Sequence, residues 1–378
     1  MKQTLLVQDI LPHITRIISE TNGLGLEDTL DLLLQSTITK EDIKTSIKEF
    51  YSLLNQFKID KIDIDPLLEH PVGIAFFEFF KNCPLKFREE HIHLTGSLSA
   101  EFIYPRLKSL IEGPNKDIYI KKITDIYGSD SMPIDSVEKV DQLMRLQKGE
   151  LFDRYLEILL LPKLILTSSQ AHCEASYHMA KTLYTEYNVG AIRLKFTLSR
   201  ATTTEKESIP GIEPLDSEEV VLGLYEGFKK FQSEHPEFEF ILSPCFRKEP
   251  EFYDAKNFPS KKSHFDYQVQ SLLALLQQYP ELKKHVSEVD TVGSEKDLYR
   301  KEHFQEMKIG LRKLQSRGLK IRSHHGETWL TLRRGIQSVD NAMNIWHVDA
   351  VEHGLSLGIN PNFYFHQIYQ SVLAKNQR

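Results

Sequence analysis

Cysteine is scarce in this sequence, which has only Cys83, Cys173 and Cys245 among its 378 residues. The three lie far apart and form no Cys-x-x-Cys pair. This spacing argues against a disulfide framework and against a zinc site built from thiolates. Unpaired cysteines are typical of a reducing compartment, so we expect a cytoplasmic protein.

An excess of basic charge and a long apolar run are also missing. The 47 Lys and Arg residues face 53 Asp and Glu residues, and the formal charge is −6 with no basic block. This balance argues against a nucleic-acid partner. The most apolar stretch, Leu156 to Leu166, is too short to span a bilayer and is broken by Pro162 and Lys163. We therefore expect no membrane partner either.

The first part of the chain has a helical pattern. Thr39 and Asp42 resemble a capping box, and apolar residues follow at helical spacing, namely Ile43, Ile47, Phe50, Tyr51 and Leu54. We predict an N-terminal helical extension over residues 1–86, which packs against other elements and carries no chemistry.

From Phe87 onward, short strand-like runs alternate with helical stretches. The runs are Arg88–Leu94, Ala191–Leu198, Phe238–Phe246, Val286–Val292, Leu319–His324 and Val348–His353. The helical stretches are Ser169–Tyr187, Ser217–Glu234, Tyr267–Gln278, Lys301–Arg317 and Val339–Trp346. Such alternation predicts an α/β fold with parallel strands joined by helices. Six strands are compatible with a doubly wound sheet or with most of an eight-stranded barrel. Polar loops at 201–214 and 249–263 follow the second and third strands, and in a barrel such loops lie on the active face.

His91 and His93 are the first candidates for a metal site. Side chains two residues apart in a strand point to the same face, so both imidazoles can reach one ion. On a helix the two rings would diverge. The alternative is a pair of surface or packed histidines without a ligand.

Two further strand ends also present histidine beside glycine. His324 and Glu327 lie in the segment Ser323-His324-His325-Gly326-Glu327, and His353 lies in Glu352-His353-Gly354. The carboxyl ends of parallel strands are where such folds place their sites. His324 offers a third imidazole ligand, Glu327 an acid that can move a proton, and His353 a base or a further ligand. One shared site explains all three better than separate solvated loops.

These segments resemble the motifs of the adenosine deaminase family, which belongs to the metal-dependent amidohydrolases. The segment 91–98, His-Ile-His-Leu-Thr-Gly-Ser-Leu, is similar to the family's His-x-His-Leu-x-Gly-Ser, and His324-His325-Gly326-Glu327 to its His-Ala-Gly-Glu. Glu352-His353-Gly354 resembles Gly-His-Gly, and the segment 290–295, Asp-Thr-Val-Gly-Ser-Glu, resembles Asp-Leu-Ala-Gly-x-Glu. The four motifs occur in the family's order, and the resemblance extends from about Phe87 to the end of the sequence.

The resemblance implies a (β/α)₈ barrel over residues 87–378, of which strands 1–6 are present. It implies zinc as the cofactor, bound by three histidines, namely His91, His93 and His324. Glu327 donates a proton to a purine ring nitrogen in this interpretation, and His353 orients and deprotonates the attacking water. Gly293 contacts the base through its backbone, and Thr95 occupies a substrate-binding position. The implied reaction is hydrolytic deamination of adenosine or a related adenine nucleoside or nucleotide.

Two departures from the family pattern bear on substrate and activity. Thr95 stands where the family has an acidic residue that contacts the sugar, so a charge-assisted hydrogen bond is lost and a modified or phosphorylated nucleoside becomes acceptable. The family's Asp-Asp pair, which completes the zinc site and binds the purine, is absent, and the sequence ends after the sixth helix, Asn362–Lys375. We expect a fragment of a longer protein, with little or no deaminase activity as it stands.

Two other functions compete with deamination. A metal-dependent hydrolase of another substrate class, such as an amide or a phosphoester, uses the same activated water. A degenerate deaminase kept as a binding module accounts for the missing aspartates. Glu327 favours deamination because it supplies the acid that protonates the ring.

Overall fold

The computed structural model describes residues 2–21, 25–36, 40–59, 61–147, 149–150, 152–198 and 215–376. Thr39 of the predicted capping box and the predicted 201–214 loop lie outside these residues. The chain divides into two compact units, one made of Met1–Phe87 with Thr182–Gly190 and the other of Arg88–Lys181 with Ala191–Arg378. The domain limits 1–86 and 87–378 stay a prediction.

The first unit is helical over its N-terminal residues. Its helices are α1 (Lys2–Thr21), α2 (Leu26–Gln35), α3 (Glu41–Lys58), α4 (Asp65–Leu68) and α5 (Pro71–Lys81). Apolar side chains at helical spacing turn inward and form one core, with members such as Ile14, Leu33, Ile47 and Val72. The Asn188 amide of the same unit donates hydrogen bonds to the carbonyls of Phe80, Cys83 and Leu85 at 2.9–3.1 Å. These bonds fix the chain just before the first strand.

Six strands form a single sheet in chain order. They are β1 (Phe87–His93), β2 (Val189–Thr197), β3 (Glu239–Arg247), β4 (Glu288–Val292), β5 (Lys320–His325) and β6 (Ala350–His353). The pairs β2–β3, β3–β4, β4–β5 and β5–β6 are parallel. All six sequence-predicted strands are therefore confirmed, with ends that differ by one or two residues.

Helices join the strands. Between β1 and β2 lie α6 (Ala100–Ile111), α7 (Lys116–Tyr127), α8 (Val137–Leu143), α9 (Phe152–Ile158), α10 (Leu160–Ile165) and α11 (Ser169–Glu186). Later connections contain α12 (Ser217–Glu234), α13 (Lys261–Gln278), α14 (Lys301–Ser316) and α15 (Leu332–Asn341), which a π-helical turn extends to Trp346. After β6 come α16 (Leu355–Gly358) and α17 (Pro361–Asn376). Among the described residues, none of the helices combines the length and apolarity needed to cross a bilayer.

Helix α13 begins earlier than its sequence pattern predicts. Tyr267 was the expected first residue, but Ser260 caps the helix and the hydroxyl accepts a hydrogen bond from the backbone of Ser263. The added residues show no apolar period because two of their three buried side chains, those of Lys261 and His264, are polar. Part of the predicted polar loop 249–263 is therefore helical.

The sheet curls until side chains of its two outer strands meet. Neighbouring strands lie about 4.8 Å apart, so in a flat sheet β1 and β6 would be separated by about 24 Å. Instead, Nδ1 of His91 in β1 lies 2.7 Å from Oε2 of Glu352 in β6. Lys195 in β2 also reaches Glu352, at 3.0 Å. The second unit is thus a partial (β/α) barrel whose inward side chains meet at the carboxyl ends of the strands.

Candidate metal centre

Three histidines converge at the carboxyl ends of β1 and β5. The Nε2 atoms of His91 and His93 lie 3.3 Å apart, and each lies 3.2 Å from Nε2 of His324. His91 and His93 share a face because they are two residues apart in a strand, as the sequence predicts. His324 comes from the other side of the curled sheet.

The spacing of the three nitrogens fits a metal ion. Zn–N bonds of 2.0–2.1 Å at tetrahedral angles place ligand nitrogens about 3.3–3.4 Å apart. Within the part of the chain that the structure describes, these three histidines form a group that can hold one metal ion. Burial, together with the neighbouring rings of His324 and His91, lowers the pKa of His93 to about 3. A neutral imidazole keeps the lone pair that a metal needs.

Carboxylates hold two of the three rings from behind. Nδ1 of His91 donates to Glu352, and Nδ1 of His324 lies 3.0 Å from Oδ1 of Asp290. An ionised carboxylate can only accept, so each ring must carry its proton on Nδ1 and present a bare Nε2 to the centre. This arrangement of carboxylate, histidine and metal is common in metalloproteins.

Lys195 links the two carboxylates. Its side chain is fully buried in β2, and Nζ forms ion pairs with Asp290 and Glu352. Burial acts to lower the pKa of Lys195, but its neighbours, with the carboxylates of Asp290 and Glu352 among them, together outweigh burial and the pKa is raised overall. The cation therefore stays charged between two carboxylates that would otherwise repel each other. Lys195 is not among the site residues that the sequence predicts.

Glu327 and His353 lie together beside the histidines. Oε1 of Glu327 is 3.5 Å from Nε2 of His353. The ring centre of His353 lies 4.8 Å from that of His91 and 5.1 Å from that of His324. His353 has a left-handed backbone with φ of 70°, an uncommon conformation for a residue other than glycine. Such outliers concentrate at functional sites, where the surroundings hold them in place.

His325 points away from the histidine centre. Its ring is fully buried, and Nδ1 lies 2.7 Å from the Ser338 hydroxyl and 3.4 Å from Oε2 of Glu295. Burial, together with the charge of Lys248, lowers the pKa of His325 to about 4. Strand alternation accounts for its direction, since β5 continues through His325.

Gly293 and Thr95 lie in the turns that follow two strands. Gly293 comes directly after β4 with φ of 109°, and a Cβ there would lie 2.2 Å from the Glu249 carboxylate. That carboxylate accepts a hydrogen bond from the backbone of Ser294 and pairs with Arg247. Thr95 is half-buried in the 3₁₀ turn after β1. The substrate contacts assigned to both residues stay predictions.

The functional roles that the resemblance gives to these residues also stay predictions. The structure brings the three histidines together and sets Glu327 and His353 beside them. The structure also places Asp290, Glu352 and Lys195 at the site. Asp290 and Glu352 belong to the sequence motifs described above, but the sequence assigns neither of them a function. Lys195 had one available signal, since Arg193 and Lys195 put two charges on one face of an apolar strand.

Comparisons with known proteins give weak similarity. No protein-family model and no curated protein matches the sequence. Among solved structures, the chain is similar to an ADAL–IMP complex, with 15% identity, a TM-score of 0.46, and coverage of 74% of this chain and 66% of that one. It is also similar to the Arabidopsis N6-mAMP deaminase MAPDA, with 16% identity, a TM-score of 0.43, and coverage of 73% and 67%. A third similar structure is Arabidopsis ADAL complexed with GMP, with 17% identity, a TM-score of 0.44, and coverage of 73% of this chain and 66% of that one. The chain thus spans about two thirds of the length of the structures that it matches.

Proposed function

We propose that this chain is a zinc-dependent aminohydrolase of the adenosine deaminase family, which deaminates an adenine nucleoside or nucleotide. The observation that carries the proposal is the convergence of His91, His93 and His324 at 3.2–3.3 Å beside the Glu327–His353 pair. The four ordered sequence motifs support the same family. In this proposal residues 87–378 form the catalytic unit and residues 1–86 are an appended helical layer.

The three imidazoles would hold the ion. Zinc suits a set of neutral nitrogen ligands, and when bound it supplies the Lewis acidity that brings the pKa of a water molecule near neutrality. Glu352 and Asp290 orient two of the rings through Nδ1, so the centre is fixed before any ion arrives.

His353 and Glu327 carry the proton transfers. His353 is placed to take the proton of the attacking water as that water adds to the carbon that carries the amine. Glu327 donates a proton to the adjacent ring nitrogen, which makes that carbon electrophilic. Protonated His353 then passes its proton to the amine, and the carbon–nitrogen bond breaks as the new hydroxyl returns a proton to Glu327. The amine leaves as ammonia, and the product is of the inosine type.

The substrate is an adenine nucleoside or nucleotide in this proposal. Thr95 brings no negative charge to the turn after β1, so this turn does not repel a phosphorylated or modified sugar. The structures named above include complexes with IMP and GMP, which supports a purine nucleotide as a ligand class to test. A cytoplasmic location and the absence of nucleic-acid and membrane partners stay predictions.

An assay of the zinc-loaded protein with its natural termini tests the proposal. Adenosine, AMP and N6-methyl-AMP are offered separately. The ultraviolet spectrum is followed together with the amine released, which is ammonia from the first two and methylamine from the third. Glu327→Gln should abolish turnover with full zinc content, whereas Glu302→Gln, an exposed carboxylate of α14, should leave turnover unchanged. No turnover of any of the three by a fully zinc-loaded wild-type protein contradicts the proposal and favours a degenerate binding module.

A further inference from the structure

Glu295 binds the backbone of the turn that carries Glu327. Its Oε2 accepts the N–H of Gly326 at 2.8 Å, and its Oε1 accepts those of Glu327 at 2.8 Å and Thr328 at 3.1 Å. The backbone N–H of Glu295 in turn donates to the Thr328 hydroxyl at 3.0 Å. Four hydrogen bonds thus join one residue after β4 to three consecutive residues after β5.

This carboxylate is buried and ionised. Glu295 is only 1% exposed. Burial acts to raise its pKa, but the nearby Lys248 cation, the His325 ring and the backbone N–H groups outweigh burial and hold the pKa well below its usual range. A buried charge of this kind is costly unless it is fully hydrogen-bonded. Here the three amide donors and the cation satisfy it.

Other contacts leave the turn little freedom elsewhere. Lys248 donates from Nζ to the His324 carbonyl, and the backbone N–H of Ser356 donates to the Gly326 carbonyl at 3.0 Å. Gly326 has φ of 72°, and a Cβ there would lie 2.6 Å from the Ser356 hydroxyl. The turn is therefore held by Lys248, by Ser356 and by the Glu295 carboxylate.

We propose that Glu295 is a positioning residue that fixes the carboxyl group of Glu327 by holding the backbone of residues 326–328. The inference rests on the proposed function, in which Glu327 protonates the substrate ring. Proton transfer needs hydrogen-bond distance, and a displacement of about 1 Å can cost about 100-fold in rate. Only a carboxylate serves here, because an amide would turn an N–H₂ group toward one of the three N–H donors.

The test compares two carboxylate-to-amide variants at opposite ends of β5. Glu295→Gln replaces the carboxylate that accepts the backbone N–H groups of residues 326–328. Asp349→Asn is the matched control, because the Asp349 carboxylate also accepts a backbone N–H, that of Ile321 at 2.7 Å, but lies far along the strand from Glu327. The measurements are kcat and KM for the substrate that the wild type turns over, zinc content, and amide hydrogen exchange of residues 326–328.

Glu295→Gln should lower kcat about 10- to 100-fold and leave KM within about twofold, with full zinc content. Exchange should accelerate at residues 326–328 and not in β1. Asp349→Asn should change none of these. Thr328→Val, which removes only the bond from the Glu295 backbone, is the milder variant if Glu295→Gln fails to fold, and it should produce a smaller fall in kcat of the same kind.

The outcomes separate this inference from the proposed function. An unchanged kcat in Glu295→Gln, or a loss of zinc as large as the loss of turnover, overturns the positioning role while deamination by the wild type stands. A wild type without turnover overturns the proposed function. In that case amide hydrogen exchange still tests whether Glu295 holds the backbone of residues 326–328. Unchanged protection of these residues in Glu295→Gln would overturn the positioning role too.

Discussion

His91 in β1 donates from Nδ1 to Glu352 in β6 at 2.7 Å, although 261 residues separate the two along the chain. The bond joins the first and last strands of the sheet at their carboxyl ends. It also fixes the orientation of a ring whose Nε2 faces two other imidazoles. One hydrogen bond therefore serves both the curl of the sheet and the candidate metal centre.

Replacing Glu352 should weaken metal binding. Glu352→Gln removes the ionised acceptor that sets the tautomer and basicity of His91, and loss of such a partner typically costs 10- to 100-fold in metal affinity. We expect a fall of about that size in zinc affinity, measured by competition with a coloured chelator. Glu239→Gln, which changes an exposed carboxylate paired with Arg88, is the control and should bind zinc normally. Equal affinities for the two variants would contradict the role given to Glu352.

Lys195 should contribute strongly to stability. Lys195→Met leaves Asp290 and Glu352 close together in a buried place without their shared cation. Breaking a buried ion pair from one side costs about 3–5 kcal/mol. We expect a loss of that order in the free energy of unfolding of the zinc-free protein, measured with urea. Lys301→Met, at an exposed position at the start of α14, should change it by less than about 0.5 kcal/mol.

Lys261 should make stability depend on alkaline pH. Burial lowers the pKa of Lys261 to about 8, against an ordinary value of 10.5, and Nζ donates to the carbonyls of Arg247 and Phe252. Between pH 8 and 10.5 the unfolded chain binds more protons at this residue than the folded one. The free-energy cost of burying the Lys261 cation therefore shrinks as pH rises, and stability increases. The stability of the wild type relative to Lys261→Met should increase by up to about 3 kcal/mol from pH 7.5 to 10.5. A difference that stays flat with pH would refute the lowered pKa.

Gly293→Ala should lower the free energy of unfolding by more than the strain of its left-handed backbone alone accounts for. The new methyl group would lie 2.2 Å from the Glu249 carboxylate. At Gly318, where φ is 89°, the added Cβ would have no atom of the described residues within 4 Å apart from those of its chain neighbours. Gly318→Ala therefore isolates the cost of a left-handed alanine, about 1–2 kcal/mol. Gly293→Ala should cost more in free energy of unfolding, and its KM should rise. Equal costs would show that Glu249 moves aside freely.

Much of the fold could be predicted from the sequence because its signals are local. The six apolar runs mark the strands within one or two residues, and alternation places His91 and His93 on one face. The capping residues of α12 also match a local pattern, since Asp216 and Glu219 form a capping box. Helices α6 to α10 are not predicted from the sequence. Helices α8, α9 and α10 have only 7, 7 and 6 residues, and Pro105 interrupts the pattern of α6.

The support behind the site could not be predicted in the same way. Asp290 and His324 come from different strands, and only the parallel register and the curl of the sheet bring them within 3.0 Å. Lys195 has no partner close in sequence, so its two ion pairs depend entirely on tertiary structure. The role of Glu295 likewise cannot be recognised in the sequence, because its hydrogen-bond partners are the backbone amides of a turn 31–33 residues away.

The most direct test of the central claim, that three histidines hold one zinc ion, is X-ray absorption at the zinc edge of the reconstituted protein. The spectrum should show three imidazole ligands at about 2.0–2.1 Å and one zinc ion per chain. His93→Ala should leave two imidazoles or no bound zinc, while His347→Ala, a histidine outside the cluster, should change nothing. A wild-type spectrum with fewer than three imidazoles, or one that is unaffected by His93→Ala, would contradict the account.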